Sequence, residues 1–473
     1  MRVLLLNPLA VKKELRRHGA DTHPPLGLLY VAAMLQKEGH EVSVIDNEDL
    51  CLTREQLKER IRNARPDVVG MTAYTAKYDS FVDNARIIKS IDRRIPVILG
   101  GPHPSTLPVE TLNEVPEIDY LILGEGELTT PELLRAIAEG RPLSSVDGIA
   151  YRSGGKAVIT KPRELIQDLD ALPMPARELI PNLAKRKSSF RYKRLPFTSM
   201  ITSRGCPFQC IFCHHSVFGK RYRMHSTKYV IDEIEYLIRT YGIKEIHFVD
   251  DLFLFDPKRT EEICDAIIGR GIDITWSANA RVNILAKHTH LIPKLKKAGC
   301  WYLSFGLESG DQDVLNFIKK SITLEDVRKV VGLCHRIGIF TKGYFIIANP
   351  VDTQETIIKT IKFSKSLPLD AVQFAIATPY PGTELYRIAK DYGEFEECLD
   401  YSRYSSHSPD PTFVPNGLTK EYLVKMQKES YKQFYFRPSY VIRELRFITS
   451  LRIMKKYVKV GLSYFYDYFL GKA

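Results

Sequence analysis

Three cysteines, Cys206, Cys210 and Cys213, stand at C-x-x-x-C-x-x-C spacing in Ser203-Arg204-Gly205-Cys206-Pro207-Phe208-Gln209-Cys210-Ile211-Phe212-Cys213. Three thiolates on one short loop can hold three irons of a [4Fe–4S] cube and leave the fourth iron without a protein ligand. An iron left open can bind a substrate or cofactor, which a fully ligated electron-transfer cluster cannot do. Two other readings compete. Cys210-Ile211-Phe212-Cys213-His214 matches the C-x-x-C-H pattern of haem attachment, but that strands Cys206. Zinc could recruit His214 or His215. Structural zinc usually takes ligands from two separate knuckles, and no second Cys or Cys/His pair follows at a suitable distance. The other five cysteines, Cys51, Cys264, Cys300, Cys334 and Cys398, are isolated and read as buried small hydrophobes.

A reactive loop needs a scaffold, and the sequence around it reads as one. From about 196 to 400, strand-like runs recur at Phe197–Thr202, Glu245–Val249, Ile272–Ala278, Trp301–Phe305, Lys342–Ile347 and Ala371–Ala377. Helical runs such as Lys228–Thr240, Leu324–Ile337 and Thr353–Ser366 separate them. Six such units are fewer than the eight of a complete barrel, and barrel chemistry sits at strand C-termini. The cysteine loop follows the first strand. Asp250 and Asp251 follow the second; adjacent carboxylates accept hydrogen bonds from an ammonium group or cap a helix. Arg281 follows the third strand and Glu308 the fourth.

Residues 1–145 alternate in the same way. Strands are expected over Arg2–Leu6, Glu41–Ile45, Asp67–Thr72, Val97–Leu99 and Tyr120–Leu123, with helices over Leu26–Glu38, Arg54–Asn63, Ser80–Ile91 and Pro131–Ala138. This pattern implies a doubly wound, flavodoxin-like parallel sheet, whose ligands sit beyond the carboxyl ends of the strands. Two glycine-rich runs fall there, Gly100-Gly101-Pro102-His103-Pro104-Ser105-Thr106 and Gly124-Glu125-Gly126-Glu127. They are either turn glycines or places where a ligand approaches the backbone. Residues 146–195, punctuated by proline, read as a linker with no assigned chemistry.

The cysteine loop, with an aromatic residue just before its last cysteine, resembles the signature loop of radical S-adenosylmethionine (SAM) enzymes. Asp67-Val68-Val69-Gly70-Met71-Thr72, the Gly-Gly-Pro-His-Pro run and Gly-Glu-Gly-Glu together resemble the cobalamin-binding domain that precedes many radical SAM barrels. The resemblance implies an α/β chain with a cobalamin domain over 1–145, a partial (βα)6 radical SAM barrel over 196–400, and a helical C-terminal region over 401–473. It implies three cofactors: a [4Fe–4S] cluster on Cys206, Cys210 and Cys213, SAM on the open iron, and cobalamin. Cobalamin is expected along Gly100, Gly101, His103, Thr106, Gly124, Glu125, Gly126 and Glu127. Phe212 is expected near the adenine. Asp250 and Asp251 are expected to contact SAM or substrate. Arg281 is expected to pair with the SAM carboxylate or a barrel carboxylate. Glu308, in a segment similar to the family's glycine-glutamate-serine run, is expected to order Arg281 or the SAM ribose, or to form a structural ion pair. Two departures stand out. Asp21-Thr22-His23-Pro24-Pro25-Leu26-Gly27 places the glycine one residue late for the D-x-H-x-x-G of cobalt-ligating histidines and is read as coincidence. Ala348 stands where the family usually has glycine.

The implied reaction is SAM cleavage to a 5′-deoxyadenosyl radical, hydrogen abstraction from an unactivated carbon and methyl transfer from methylcobalamin. The alternative is oxidative cyclisation or C–C bond formation on a tetrapyrrole or lipid without methyl transfer. The expected partners are a small-molecule, lipid or tetrapyrrole substrate and an electron donor of the flavodoxin or ferredoxin kind.

Length and charge bound these expectations. The chain of 473 residues suggests two to three domains. Its N-terminus has too short an apolar core for a signal peptide and reads as a strand. No run reaches the roughly 18 apolar residues of a membrane span, so a cytoplasmic location is expected. The balance of 68 basic against 56 acidic residues gives +12, which suits a polyanion. Residues 437–473 hold eight Lys/Arg and two acids among aromatics. This tail is a candidate for peripheral contact with the inner membrane face, against the commoner reading as capping helices. A tRNA-modifying enzyme would carry a β-rich C-terminal domain; this tail has helical spacing, so no nucleic acid partner is expected.

Overall fold

The computed structural model describes residues 1–9, 23–186, 192–397, 400–405, 408, 410–438 and 440. The first sheet holds β1 (Arg2–Asn7), β2 (Glu41–Asp46), β3 (Val68–Thr72), β4 (Val97–Gly100) and β5 (Tyr120–Ile122) in the order β2-β1-β3-β4-β5, all parallel. Strand alternation divides β1 between two cores. Leu4 and Leu6 pack with Phe81 and Ile88 on one face, while Val3 and Leu5 pack with Ala32 and Leu35 on the other. Both faces are therefore covered by helices, as a parallel sheet requires.

The segment read as a linker begins as sheet. Residues Ile149–Ser153 (β6) and Lys156–Ile159 (β7) form an antiparallel hairpin that extends the sheet beyond β5. Gly154 and Gly155 connect them, both at positive φ, and a Gly-Gly pair between two short apolar runs is a hairpin signal. Thereafter the chain crosses to the second module. Arg177, fully buried, donates to Glu233 at 2.7 Å.

The second sheet starts with β8 (Phe197–Met200). A short antiparallel pair, β9 (Ser203–Arg204) and β10 (Arg223–Met224), follows at its end. The remaining strands are β11 (Glu245–Phe248), β12 (Thr275–Ala280), β13 (Cys300–Glu308), β14 (Phe340–Ile347) and β15 (Ala371–Ile376), and the six main strands run parallel in chain order. This is the expected open barrel of six strands. Its helices show how the sequence builds it. Helix Leu324–Ile337 buries Val327, Val330, Val331 and Cys334, the i, i+3, i+4, i+7 stripe of one face; each buried valine contributes about 1.5–3 kcal/mol. Thr323 caps its start by accepting from the Asp326 amide, and Gly338, at φ 77°, ends it.

Six strands leave an edge at β15, and helix Lys420–Tyr435 covers it. The Tyr431 and Tyr435 hydroxyls accept from the Phe374 and Val372 amides at 3.0 Å each. The Tyr435 hydroxyl and Gln427 Nε2 donate to the Val372 and Phe374 carbonyls at 2.9 Å. Side chains thus complete a ladder that would otherwise template further strand pairing. Capping by the C-terminal region agrees with its helical reading. The aromatic and basic run over 441–473, with Tyr464–Phe469, lies outside the described residues, as do Cys398, Asp21 and Thr22. Among the described residues, no helix is long and apolar enough to cross a membrane.

Candidate active site

The three cysteines lie between β9 and β10, on a loop pinned at its first turn by Gly205. That residue has φ 82°, and a Cβ there would overlap the Arg221 carbonyl oxygen, so only glycine fits. Further along, the Ile211 amide donates to the Ile318 carbonyl at 3.3 Å and the Ile211 carbonyl accepts from Leu385 at 2.8 Å. Cys206, Cys210 and Cys213 all line one cavity of about 320 Å³ at the carboxyl ends of the barrel strands. The cavity also takes Asp251, Arg281 and Lys320. Among the described residues, no three His, Cys, Asp or Glu side chains converge as a single metal ion needs. A four-iron cube places each thiolate on a different iron, so its sulfurs line one wall instead of meeting at a point.

Charge around Cys210 favours its thiolate. Cys213 shares a hydrogen bond with Cys210, and Lys320 and Arg281 add positive charge, so the Cys210 thiol is drawn down to about 5 against the opposing effect of burial. The shared hydrogen bond and burial push Cys213 up, and burial raises Cys206. Arg281 Nη1 lies 3.6 Å from Cys210 Sγ, and its guanidinium stacks 3.6 Å from the centre of the Phe208 ring. Of the roles open to Glu308, contact with Arg281 is not formed, and a structural ion pair is. Glu308 instead accepts from Lys320 at 2.6 Å. Glu308 sits at φ 61°, beside a register shift between β13 and β14. This left-handed backbone brings its carboxylate across Gly306, where any Cβ would strike both Glu308 and Lys320. Ala348 also adopts φ 66°, the conformation that explains glycine at that place in the family. Phe212 packs against the barrel core with Lys320 Nζ 5.8 Å over its ring.

The two aspartates have different surroundings. Asp250 is fully buried and accepts from the Thr202 amide at 3.0 Å, the Thr202 hydroxyl at 2.7 Å and the Ser203 hydroxyl at 2.5 Å. It fixes the end of β8 and does not face the cavity. Asp251 is the one that lines it, with burial raising its carboxyl.

A second cavity, of about 130 Å³, lies over the first sheet. Gly27, Gly70, Gly100, Gly101, Gly124 and Gly126 give it a backbone floor, and Leu5, Ile98, Ile122, Val31 and Phe218 give apolar walls. Gly101 has φ 100° and its Cβ would meet the Ala73 carbonyl at 2.9 Å; Gly124 has φ 79°. Glycines at these positions let a ligand approach the main chain closely. His103 is not among the lining residues. Its ring is buried between Tyr78, Phe81 and Tyr401, with Nδ1 3.3 Å from the Thr75 hydroxyl, and burial lowers it to about 4. Glu125 and Glu127 border the cavity, but their carboxylates are taken by arginines: Glu125 by Arg204 and Arg223, both at 2.8 Å, and Glu127 by Arg204 at 2.6 Å. Thr106 faces the cysteine loop, its hydroxyl 3.2 Å from His214 Nδ1. His23 stacks on His247 of β11, ring centres 5.3 Å apart, and is not a lining residue of the glycine cavity.

Both modules match known families. A B12 binding domain model matches residues 15–134, and a Radical SAM superfamily model matches residues 200–364. An uncharacterised methyltransferase of Pyrococcus horikoshii is 39% identical over 449 residues, covering 94% of this chain and 95% of the relative. The chain belongs to the cobalamin-binding radical SAM enzymes. An anaerobic magnesium-protoporphyrin IX monomethyl ester cyclase of Rubrivivax gelatinosus is 29% identical, over 93% of this chain and 78% of its own length. The fold is shared with a radical SAM methyltransferase, TsrM, of Kitasatospora setae, solved with cobalamin and a [4Fe–4S] cluster: TM-score 0.68, 20% identity, 93% of this chain and 89% of that one. As a cobalamin-binding radical SAM enzyme, the protein uses a [4Fe–4S] cluster, SAM and cobalamin. Lys320, Phe208, Arg204 and Arg223 were not singled out by sequence. Lys320 lies twelve residues beyond Glu308 with no spacing to connect them, whereas Arg204 stands two residues before the first cysteine.

Proposed function

We propose that this radical SAM enzyme transfers a methyl group to an unactivated carbon of a small-molecule, lipid or tetrapyrrole substrate. The observation that carries the reading is the juxtaposition of the two cavities. The cysteine-lined cavity of the barrel and the glycine-floored cavity of the first sheet both border the loop over 205–222. A cluster and SAM bound in the first supply one-electron cleavage of the sulfonium, and cobalamin in the second supplies the methyl group. Cys206, Cys210 and Cys213 hold the cluster. Arg281 and Lys320 offer the cationic side of the cavity to a carboxylate, and Asp251 offers the anionic side to an ammonium. The glycine floor and its apolar walls take the corrinoid, with Gly100, Gly101, Gly124 and Gly126 against it. Glu308 positions Lys320.

The sequence similarity to the methyltransferase of Pyrococcus horikoshii supports methyl transfer. The similarity to the cyclase of Rubrivivax gelatinosus supports the same machinery ending in oxidative ring closure. Anaerobic reconstitution with iron, sulfide, cobalamin, SAM and a low-potential reductant separates the two. Formation of S-adenosylhomocysteine together with 5′-deoxyadenosine is expected. Deoxyadenosine alone would contradict methyl transfer and favour cyclisation.

A further inference from the structure

Arg204 and Arg223 face each other across the β9/β10 pair, at the neck of the loop that carries the cysteines. Both guanidinium groups are buried, and both reach into the first module. Arg204 donates from Nη1 to Glu125 at 2.8 Å and from Nη2 to Glu127 at 2.6 Å. Arg223 Nη1 reaches both Glu125 oxygens, at 2.9 and 2.8 Å, and the Ile166 carbonyl at 2.6 Å. Arg204 also lies 5.2 Å from the Tyr30 ring centre and 5.1 Å from that of Phe218. The far side of the loop is tied as well, through His214 to Thr106 at 3.2 Å and through Ser216 to the Pro102 carbonyl at 3.5 Å. Within the first module, Ser105 accepts from the Gly124 amide at 3.0 Å and joins the two glycine loops.

Four buried charges joined in this way cannot separate by halves. Moving Arg204 leaves the Glu127 carboxylate desolvated without its counter-charge, and moving Arg223 takes away one of the two arginines that hold Glu125. The cysteine loop and the Gly124–Glu127 loop therefore shift together. The same side chains are walls of the glycine cavity, since Glu125, Glu127, Arg204 and Phe218 all line it. A ligand there touches the atoms that set the cysteine loop's position.

We propose that the Arg204/Arg223–Glu125/Glu127 clamp couples the two cofactor sites, with Arg204 as its positioning residue, so that filling the cysteine loop with a cluster tightens cobalamin binding and the reverse. The coupling rests on the assignment of the cluster to the cysteine loop and of cobalamin to the glycine cavity. By linkage the effect is reciprocal, and couplings of this kind are worth about 5- to 150-fold in affinity.

The test is an anaerobic absorbance titration with hydroxocobalamin on the full chain, cluster-free and cluster-loaded, for the wild type, Arg204→Lys and Glu127→Gln. The wild type is expected to bind at least about fivefold more tightly when loaded. In both variants the ratio of cluster-loaded to cluster-free affinity falls towards one, whatever the change in affinity for hydroxocobalamin alone. The EPR spectrum of the reduced cluster gives a second readout, expected to change on adding hydroxocobalamin in the wild type and not in the variants. Glu127→Gln keeps Glu125 paired with both arginines, so it decides the matter if Arg204→Lys does not fold. A ratio of one in the wild type, or an undiminished ratio in the folded variants, overturns the coupling alone. A wild type that binds neither cofactor overturns the functional reading and the coupling with it.

Discussion

At the scale of single residues, adjacent side chains of the same type have separate work. Asp250 and Asp251 follow one strand and look equivalent in sequence, but only Asp251 lines the cavity. Asp250→Ala is expected to cost about 3 kcal/mol, because the Thr202 amide and the hydroxyls of Thr202 and Ser203 lose a buried acceptor. Asp251→Ala is expected to leave denaturant stability within about 0.5 kcal/mol and to weaken SAM or substrate binding; equal unfolding midpoints for both variants would contradict the division. His103 carries a pH dependence. Folded, it is neutral down to about 4 because burial disfavours its charge, whereas in the unfolded chain it protonates near 6.5. The unfolded state therefore gains the proton first, and stability falls as pH drops from 6.5 towards 4, by roughly 3 kcal/mol at the limit. His103→Phe should remove that share of the slope, while His225 and His247, lowered by burial to about 4 and about 3, keep theirs. The cysteines were legible at the cavity because their spacing is specific, and Arg281 because it follows the third barrel strand. Lys320 was not, because its partner Glu308 reaches it only through a left-handed turn in β13.

At the scale of elements, the loop over 205–222 depends on its glycine. Gly205→Ala should abolish iron loading while the circular dichroism of the two α/β modules is retained, since the overlap with Arg221 is confined to the loop. Retained iron would contradict the loop geometry. The β15 edge depends on hydroxyls. Tyr431→Phe with Tyr435→Phe should lower stability by about 4 kcal/mol, roughly 1 kcal/mol for each of the four hydrogen bonds the two hydroxyls make, and should promote association through the weakened edge. Eleven strands could be placed from sequence because their apolar runs and glycine stops are strong. The β6/β7 hairpin was missed because most of its residues are half exposed or exposed and its Gly-Gly turn sits in a stretch that otherwise reads as a proline-punctuated linker.

At the scale of the whole molecule, two sheets bring their strand C-termini to one shared loop, and the residues between them hold the arrangement. Glycines assigned by resemblance to the corrinoid lie at the cavity, whereas Glu125 and Glu127 line it but direct their carboxylates to the contact between modules. A single sequence could not reveal this, because the arginines that claim them lie about 80 and 100 residues away in the chain. Gly27 lines the cavity with open space beside its Cα. Gly27→Leu is therefore expected to reduce cobalamin binding at least about tenfold by occupying that space, with iron content unchanged, as read by absorbance and iron analysis. The central claim is that Cys206, Cys210 and Cys213 hold a four-iron cluster with one iron free for SAM. EPR of the anaerobically reconstituted, dithionite-reduced protein tests it directly. A [4Fe–4S] signal is expected that shifts when SAM is added and vanishes in the triple Cys→Ala variant. A protein that takes up no cluster, or a cluster signal indifferent to SAM, would contradict it.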